Sequence, residues 1–530
     1  VIMNFSIKDT ILILALTTLF LAAVSCGKEQ PGGGEPEVAG VTVNFAPDRN
    51  TVFPNPLCGW VLYAGLGNDL SDFWERYDNM PSSVGTVRAT DYAKTLLVRT
   101  TWGQLNPEDG VYIWQEDCNT VYAQRYKKLV AEAHRRNMRI GYGFAIDSRD
   151  KHEFCTPLYV RDTYGAKGYT TKTGSMEVWS PYPDDPKFQE CYEKFIHDFA
   201  EHINNPDSTE FVHGVGIGKW GEYHSCIYST GDETPKKAVF EWVTSLFAKE
   251  FTKIPIFINY HKAVGSTSSD KASPDSEGMI DSAVKKGFGI GSGAFGMKTY
   301  YGTWEKSIAA KYRYQVPLIA EGGWVKASHG DAPMRWDSEK YKDWADVRKG
   351  EFDQAREACA SMMDLRYNDN LEVSEAWSWF NEAYDYLVQF IQDGNYRVYP
   401  SKVIAPQEVT PGEKVEVLHR WTNLGYAYCP TNFRPFLNKY KVAFALLDKS
   451  SEKPVKIFFD EQAQPHDWLK GKPKQYRFTF TVDGVPVGEY VWATGIVDDA
   501  SVEKKIGIYS SAKGDYTKDG WLKIANVTVR

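Results

Sequence analysis

Short apolar runs alternate with longer stretches of helical period through most of the chain. The runs fall at residues 59–63, 95–102, 139–147, 214–222, 254–261, 287–295, 316–324 and 371–379. Each is of strand length, with Gly, Pro or Asn in or beside it. Between them lie segments with apolar residues on one helical face. Phe188, Tyr192, Phe195, Ile196 and Phe199 mark one such face, and Val121, Leu129, Val130 and Ala133 another. Further helices are predicted over 235–251, 276–286, 304–314, 352–365 and 384–392. Eight strands, each followed by a helix or by room for one, predict an α/β fold: a (β/α)8 TIM barrel. The segment 148–185, rich in Tyr, interrupts the pattern after the third strand, and a connection of that length is usually functional.

From about residue 399 the period changes to two. Alternating runs at 403–406, 414–423, 440–447, 455–459, 474–482, 488–498 and 521–529 predict an antiparallel β-sandwich. The expected organisation is a signal peptide over 1–26, a tether over 27–40, a barrel over 41–398 with an edge strand at its start, and a sandwich over 399–530.

The N-terminal apolar run, residues 11–24, is short for a membrane span and ends Ala23-Val24-Ser25-Cys26-Gly27. A small residue before Cys at this place resembles a lipobox, which implies lipidation of Cys26 and a lipid-anchored protein at the bacterial outer membrane, periplasmic or surface-facing. A polar tether rich in Gly, Pro and Glu follows. The other cysteines are scattered with no C-x-x-C spacing, so no zinc site is indicated and most are read as small buried apolar residues.

Net charge is −8, which argues against a nucleic-acid partner. Aromatic residues make up 14% of the chain, enough to supply stacking faces for sugar rings as well as core. No cofactor or metal is expected.

Candidate chemistry gathers where predicted strands end. Arg99 ends the second, Asn259, Tyr260 and His261 the fifth, Glu321 the seventh, and Trp377 the eighth. Glu222 ends Gly214-Val-Gly-Ile-Gly-Lys-Trp-Gly-Glu222-Tyr-His224, read as the fourth strand. Two carboxyl groups facing each other across a barrel mouth can divide the work of glycosidic cleavage, one donating a proton and the other attacking carbon or activating water. Arg99 is placed to keep Glu321 ionised. Each residue also has a plain structural reading: an ion pair for the charged groups, packing for Trp102, Trp324 and Trp377, a surface position for His224.

Glutamates ending strands four and seven resemble the clan of retaining glycoside hydrolases that contains β-galactosidases, cellulases and mannanases. The spacing W-x-x-L-x-P-x-x-G-x-Y-x-W from Trp102 to Trp114 is similar to the β-galactosidase-like members. The opening Asn55-Pro-x-x-Gly-Trp60 with a sandwich tail resembles a group of bacterial lipoproteins. The resemblance implies Glu222 as acid/base, Glu321 as nucleophile, and Arg99, Trp102, Asn259, Tyr260, His261, Trp324 and Trp377 as contacts for an oligosaccharide or polysaccharide. Gly221 departs from the clan, which has Asn there. The rival reading is a surface lipoprotein that binds glycan without cleaving it.

Overall fold

Eight parallel strands close into a barrel in a computed structural model that describes residues 38–269, 271–295, 300–322, 343–366, 375–510 and 515–530. In order they are Gly59–Gly65, Ala93–Thr101, Arg139–Ala145, Thr209–His213, Ile256–Asn259, Gly289–Phe295, Leu318–Gly322 and Met362–Arg366. Each pairs with its sequence neighbours, and the eighth pairs with the first. Gly40–Arg530 forms one compact unit. Cys26 lies outside the described residues.

Side chains alternate in and out along each strand, so the interior builds in layers. The lower layer is apolar: Val61, Leu97, Phe211, Phe257, Ile319 and Met362 pack together. Two residues on, the inward positions are Tyr63, Arg99, His213, Asn259, Glu321 and Asp364. A hydrophobic floor thus carries a polar storey. Strands three and six supply glycines that make room for the large residues opposite. A Cβ at Gly141 would lie 2.7 Å from the Phe211 ring, and one at Gly291 would lie 2.3 Å from His213 Nε2.

Two predicted strands are corrected. The fourth is Thr209–His213, and residues 214–224 form the loop beyond it. Gly214, Gly216, Gly218 and Gly221 all have φ between 73° and 79°, so the segment cannot run extended. The eighth is Met362–Arg366. The predicted helix over 352–365 instead spans Trp344–Ala358, ends on left-handed Cys359, and releases the chain into that strand. Glu375–Asn381, predicted as strand, is helix. The insertion after strand three holds a short helix, Tyr159–Asp162, and a hairpin of Gly168–Thr173 with Met176–Pro181.

Beyond the barrel, two largely antiparallel sheets share one core that includes Trp421, Phe444 and Trp492. One contains Val398–Ala405, Lys414–Asn423 and Lys474–Thr481. The other contains Tyr440–Asp448, Pro454–Asp460, Gly488–Asp498 and Leu522–Val529. The edge strand Val41–Asn44, expected in the barrel region, pairs antiparallel with Val398–Ala405 in the first sheet. The sandwich also closes the barrel from below. Phe433 and Phe436 join the apolar floor. Arg434 between them donates to the carbonyls of Ala248 and Lys286 at 3.0 and 2.9 Å, at two helix C-termini where a cation is favoured. All seven described cysteines are free, and six are buried.

Candidate functional site

The open end of the barrel is where the strands' C-terminal ends place polar groups. Glu321 sits on the seventh strand itself, two residues above Ile319, with its side chain 11% exposed. Arg366, ending strand eight, donates to its Oε1 at 2.5 Å and to the Gly322 carbonyl at 3.0 Å. The Gly322 amide in turn donates to Asp364 Oδ1 at 2.7 Å. Arg366 also lies 5.0 Å from the centre of the Tyr63 ring. Glu321 is therefore braced by strands one, seven and eight.

Glu222 is held differently. It stands on the turn Lys219–Gly221 that follows strand four, with its side chain 18% exposed. Trp220, Tyr223 and Ser225 have φ of 58°, 60° and 49°, a run of left-handed residues that costs energy wherever a side chain carries a Cβ. The fold tolerates it because this curl brings the chain back on itself: Tyr223 N donates to Ile217 O at 2.8 Å and Lys219 N to His224 O at 2.9 Å. Gly293 on strand six leaves space for the carboxylate, and a Cβ there would lie 3.0 Å from Glu222 Oε1.

Arg99 stands between the two. It donates to the Trp220 carbonyl and its Nη2 lies 4.0 Å from Glu222 Oε1. The direct cation of Glu321 is Arg366, while Arg99 reaches the Glu222 turn and its charge still favours the ionised form of Glu321. Three carboxyl groups (Glu222, Glu321 and Asp364) thus meet two guanidinium groups, an imbalance of one negative charge that a single proton removes.

The two glutamates have opposite tendencies. Burial pushes Glu321 up to about 7, against the pull of Arg366 and Arg99, with Asp364 and Glu222 adding to the push. Burial pushes Glu222 up as well. The hydrogen bond to His224 and the charge of Arg99 outweigh it and leave Glu222 below the ordinary glutamate value. His213, inward on strand four, is driven down to about 4 by burial and Arg99, so it is neutral, and its Nε2 has no partner among the described residues.

A small cavity beside Glu222 is lined by His224, Asn259, Tyr260, His261, Ser292, Gly293 and Tyr300. Asn259 and His261 thus lie beside Glu222. Tyr260 reaches the same cavity, although its ring belongs to the packed layer between barrel and helices. Trp102 is corrected. It is fully buried, stacked on Phe195 at 5.0 Å, and its Nε1 donates to Asn106, so it is core and not a sugar platform. Trp377 is half-buried on the helix Glu375–Asn381 and ends no barrel strand. Trp324 lies outside the described residues. Trp220, half-buried at the mouth with Lys219 Nζ 4.5 Å over its ring, is an aromatic face that strand counting passes over. Strand counting also misses Arg366 and His213. Their signal is the alternation in Met362-Met-Asp-Leu-Arg366 and in Phe211-Val-His213, each a strand end assigned to its neighbour.

No protein-family model and no curated protein matches the chain. Solved structures do. An exo-β-1,4-mannosidase from Opitutaceae bacterium strain TAV5 is 10% identical at a TM-score of 0.38, covering 65% of this chain, which spans 62% of that protein's length. Endo-glycoceramidase II from Rhodococcus sp. is 12% identical at a TM-score of 0.37, over 82% of this chain and 99% of that one. A GH113 β-1,4-mannanase is 11% identical at 0.35, over 64% and 99%.

Proposed function

We propose that the protein hydrolyses glycosidic bonds of oligo- or polysaccharides by retaining double displacement at Glu222 and Glu321. The observation that carries the reading is the asymmetry of the pair. Glu321 is fixed on a strand in direct contact with Arg366, as an attacking carboxylate must be. Glu222 is borne on a glycine-rich turn beside His224, where it can serve a leaving oxygen in one step and water in the next. Arg99 lies between them and limits their mutual repulsion.

In the first step Glu321 attacks the anomeric carbon while Glu222 protonates the departing oxygen. In the second, Glu222 takes a proton from water, which releases the sugar from Glu321. Burial favours the other arrangement, since Glu321 is the group pushed up to about 7. The reaction therefore proceeds from the less populated of two one-proton arrangements. A wild-type pH profile reads only the total number of protons and cannot tell the two arrangements apart.

Variants can. With an aryl glycoside whose leaving group is acidic, Glu222→Ala keeps the first step, and added azide restores turnover with a glycosyl azide of retained configuration. Glu321→Ala is inactive, and azide yields the inverted product. Exchanged outcomes would reverse the two roles, and activity unchanged in both variants would remove the site. We also propose that residues 1–26 are a lipoprotein signal, with Cys26 lipidated and the protein displayed at the outer membrane. Palmitate labelling of the parent but not of Cys26→Ala tests this.

A further inference from the structure

The chain alone suggests a surface position for His224, but the fold buries it: its side chain is 3% exposed. Its Nε2 lies 3.3 Å from Glu222 Oε2, and its Nδ1 lies 3.2 Å from Ser225 Oγ. Residues two apart in a helical turn do not face each other. Here the left-handed backbone at Tyr223, between them, folds the imidazole back onto the carboxylate, and left-handed Ser225 follows at once. Two non-glycine residues in that conformation are strained, and such strain gathers at functional sites.

We infer that His224 is a positioning residue for the hydrolysis proposed above: it forms with Glu222 a dyad that keeps one proton between Nε2 and Oε2, ready for the leaving oxygen. The inference rests on that hydrolytic reading. The acid proton then need not reside on an isolated Glu222. With the proton on Nε2 the pair is imidazolium and carboxylate. With it on Oε2 the pair is imidazole and carboxylic acid. Both have the same net charge, so the interchange moves no charge into or out of the barrel. Donation leaves neutral imidazole beside carboxylate, the alcohol departs with the proton, and water returns one in the second step. The other titratable groups facing the dyad are Arg99 from strand two, His213 from strand four, Tyr260 and His261 after strand five, Tyr300 after strand six and Glu321 from strand seven. Arg99 and neutral His213 sit on the Glu222 side. His261, whose ring centre is 5.4 Å from that of His224, accepts the Ala263 amide on Nδ1.

The test compares two glycosides of whichever sugar the wild type cleaves, one with a 4-nitrophenyl and one with a methyl leaving group. The first needs little proton donation and the second depends on it. In His224→Ala, kcat/KM for the methyl glycoside is expected to fall about 100-fold, within the range of general-acid contributions. For the nitrophenyl glycoside it should fall less than about threefold, and added imidazole should restore the methyl reaction. His224→Gln, which can hydrogen-bond Glu222 but not titrate, should show the same split while keeping the parent's melting temperature. Equal losses on both substrates in the two variants would mean a merely structural histidine and would overturn the inference alone. A wild type that cleaves neither substrate class for any sugar would overturn the hydrolytic reading and this inference with it.

Discussion

Glu321→Gln isolates the cost of burying a charge in the polar storey of the barrel. Glutamine has nearly the same shape and can still accept from Arg366, but it does not titrate. The Glu321 carboxyl is pushed from the ordinary 4.5 to about 7. A carboxyl raised on folding binds more protons folded than unfolded between those two values, so its contribution to stability is fully present below pH 4.5 and is lost as pH rises towards 7. At about 1.4 kcal/mol for each pH unit of displacement, the loss is about 3 kcal/mol. The side chain is 11% exposed, so solvent screens little of it. For a barrel of this size that corresponds to about 4 °C in melting temperature. Melts of parent and variant at intervals from pH 4 to pH 8 provide the measurement, read as the difference between the two proteins so that titrations elsewhere cancel. Relative to the variant, the parent should lose about 4 °C across the window and stay level on either side. A constant difference, or one that grows in the parent's favour with pH, would refute the account of Glu321 as a carboxyl raised by burial.

Other predictions follow from close contacts. Gly291→Ala places a methyl 2.3 Å from His213 Nε2, and urea unfolding should show a loss of roughly 1–3 kcal/mol. Gly293→Ala meets only the tip of Glu222, at 3.0 Å, so it should lower kcat while leaving the melting temperature within about 2 °C, an order-of-magnitude bound from the size of overpacking costs. Phe433→Ala empties the barrel floor and should cost about 3–5 kcal/mol by denaturant titration, with any folded fraction keeping its KM. Trp102→Ala should destabilise to a similar degree without altering sugar preference, and a changed preference would restore it to the site.

Much of the architecture is legible in the sequence because hydrophobic period reports burial directly. The errors share one cause. At Gly214–His224 an apolar run with glycines looks like a strand, but positive φ at alternate residues makes it a loop, and the true strand is the short stretch ending at His213. At the eighth strand, Met362-Met-Asp-Leu-Arg366 continues the apolar density of the preceding helix. Only Cys359, Ala360 and Ser361 separate them, and no residue type announces the left-handed conformation of Cys359. The count of eight survives because each misplaced strand has a real one beside it. Glu222 and Glu321 are reachable because carboxylates after apolar runs are conspicuous. Their cations are not. The pairing of Arg366 with Glu321 and Arg99 with the Glu222 turn depends on barrel closure, which no local pattern encodes.

The pairing of Val41–Asn44 with Val398–Ala405 has a consequence for how the chain is made. The first described strand finds its partner only after the whole barrel sequence has left the ribosome, so the barrel is in effect an insertion into the sandwich. Until residue 405 emerges, that strand is an unpaired edge, and such edges invite association between chains. Once paired, it ties the start of the chain to the sheet system whose Phe433 and Phe436 plug the barrel. A truncation at residue 398 would cut through a hydrogen-bonded pair and remove the floor at once. A soluble barrel is therefore expected only when both sides of the insertion are kept, with the sandwich acting as an intramolecular chaperone for the domain that carries the chemistry.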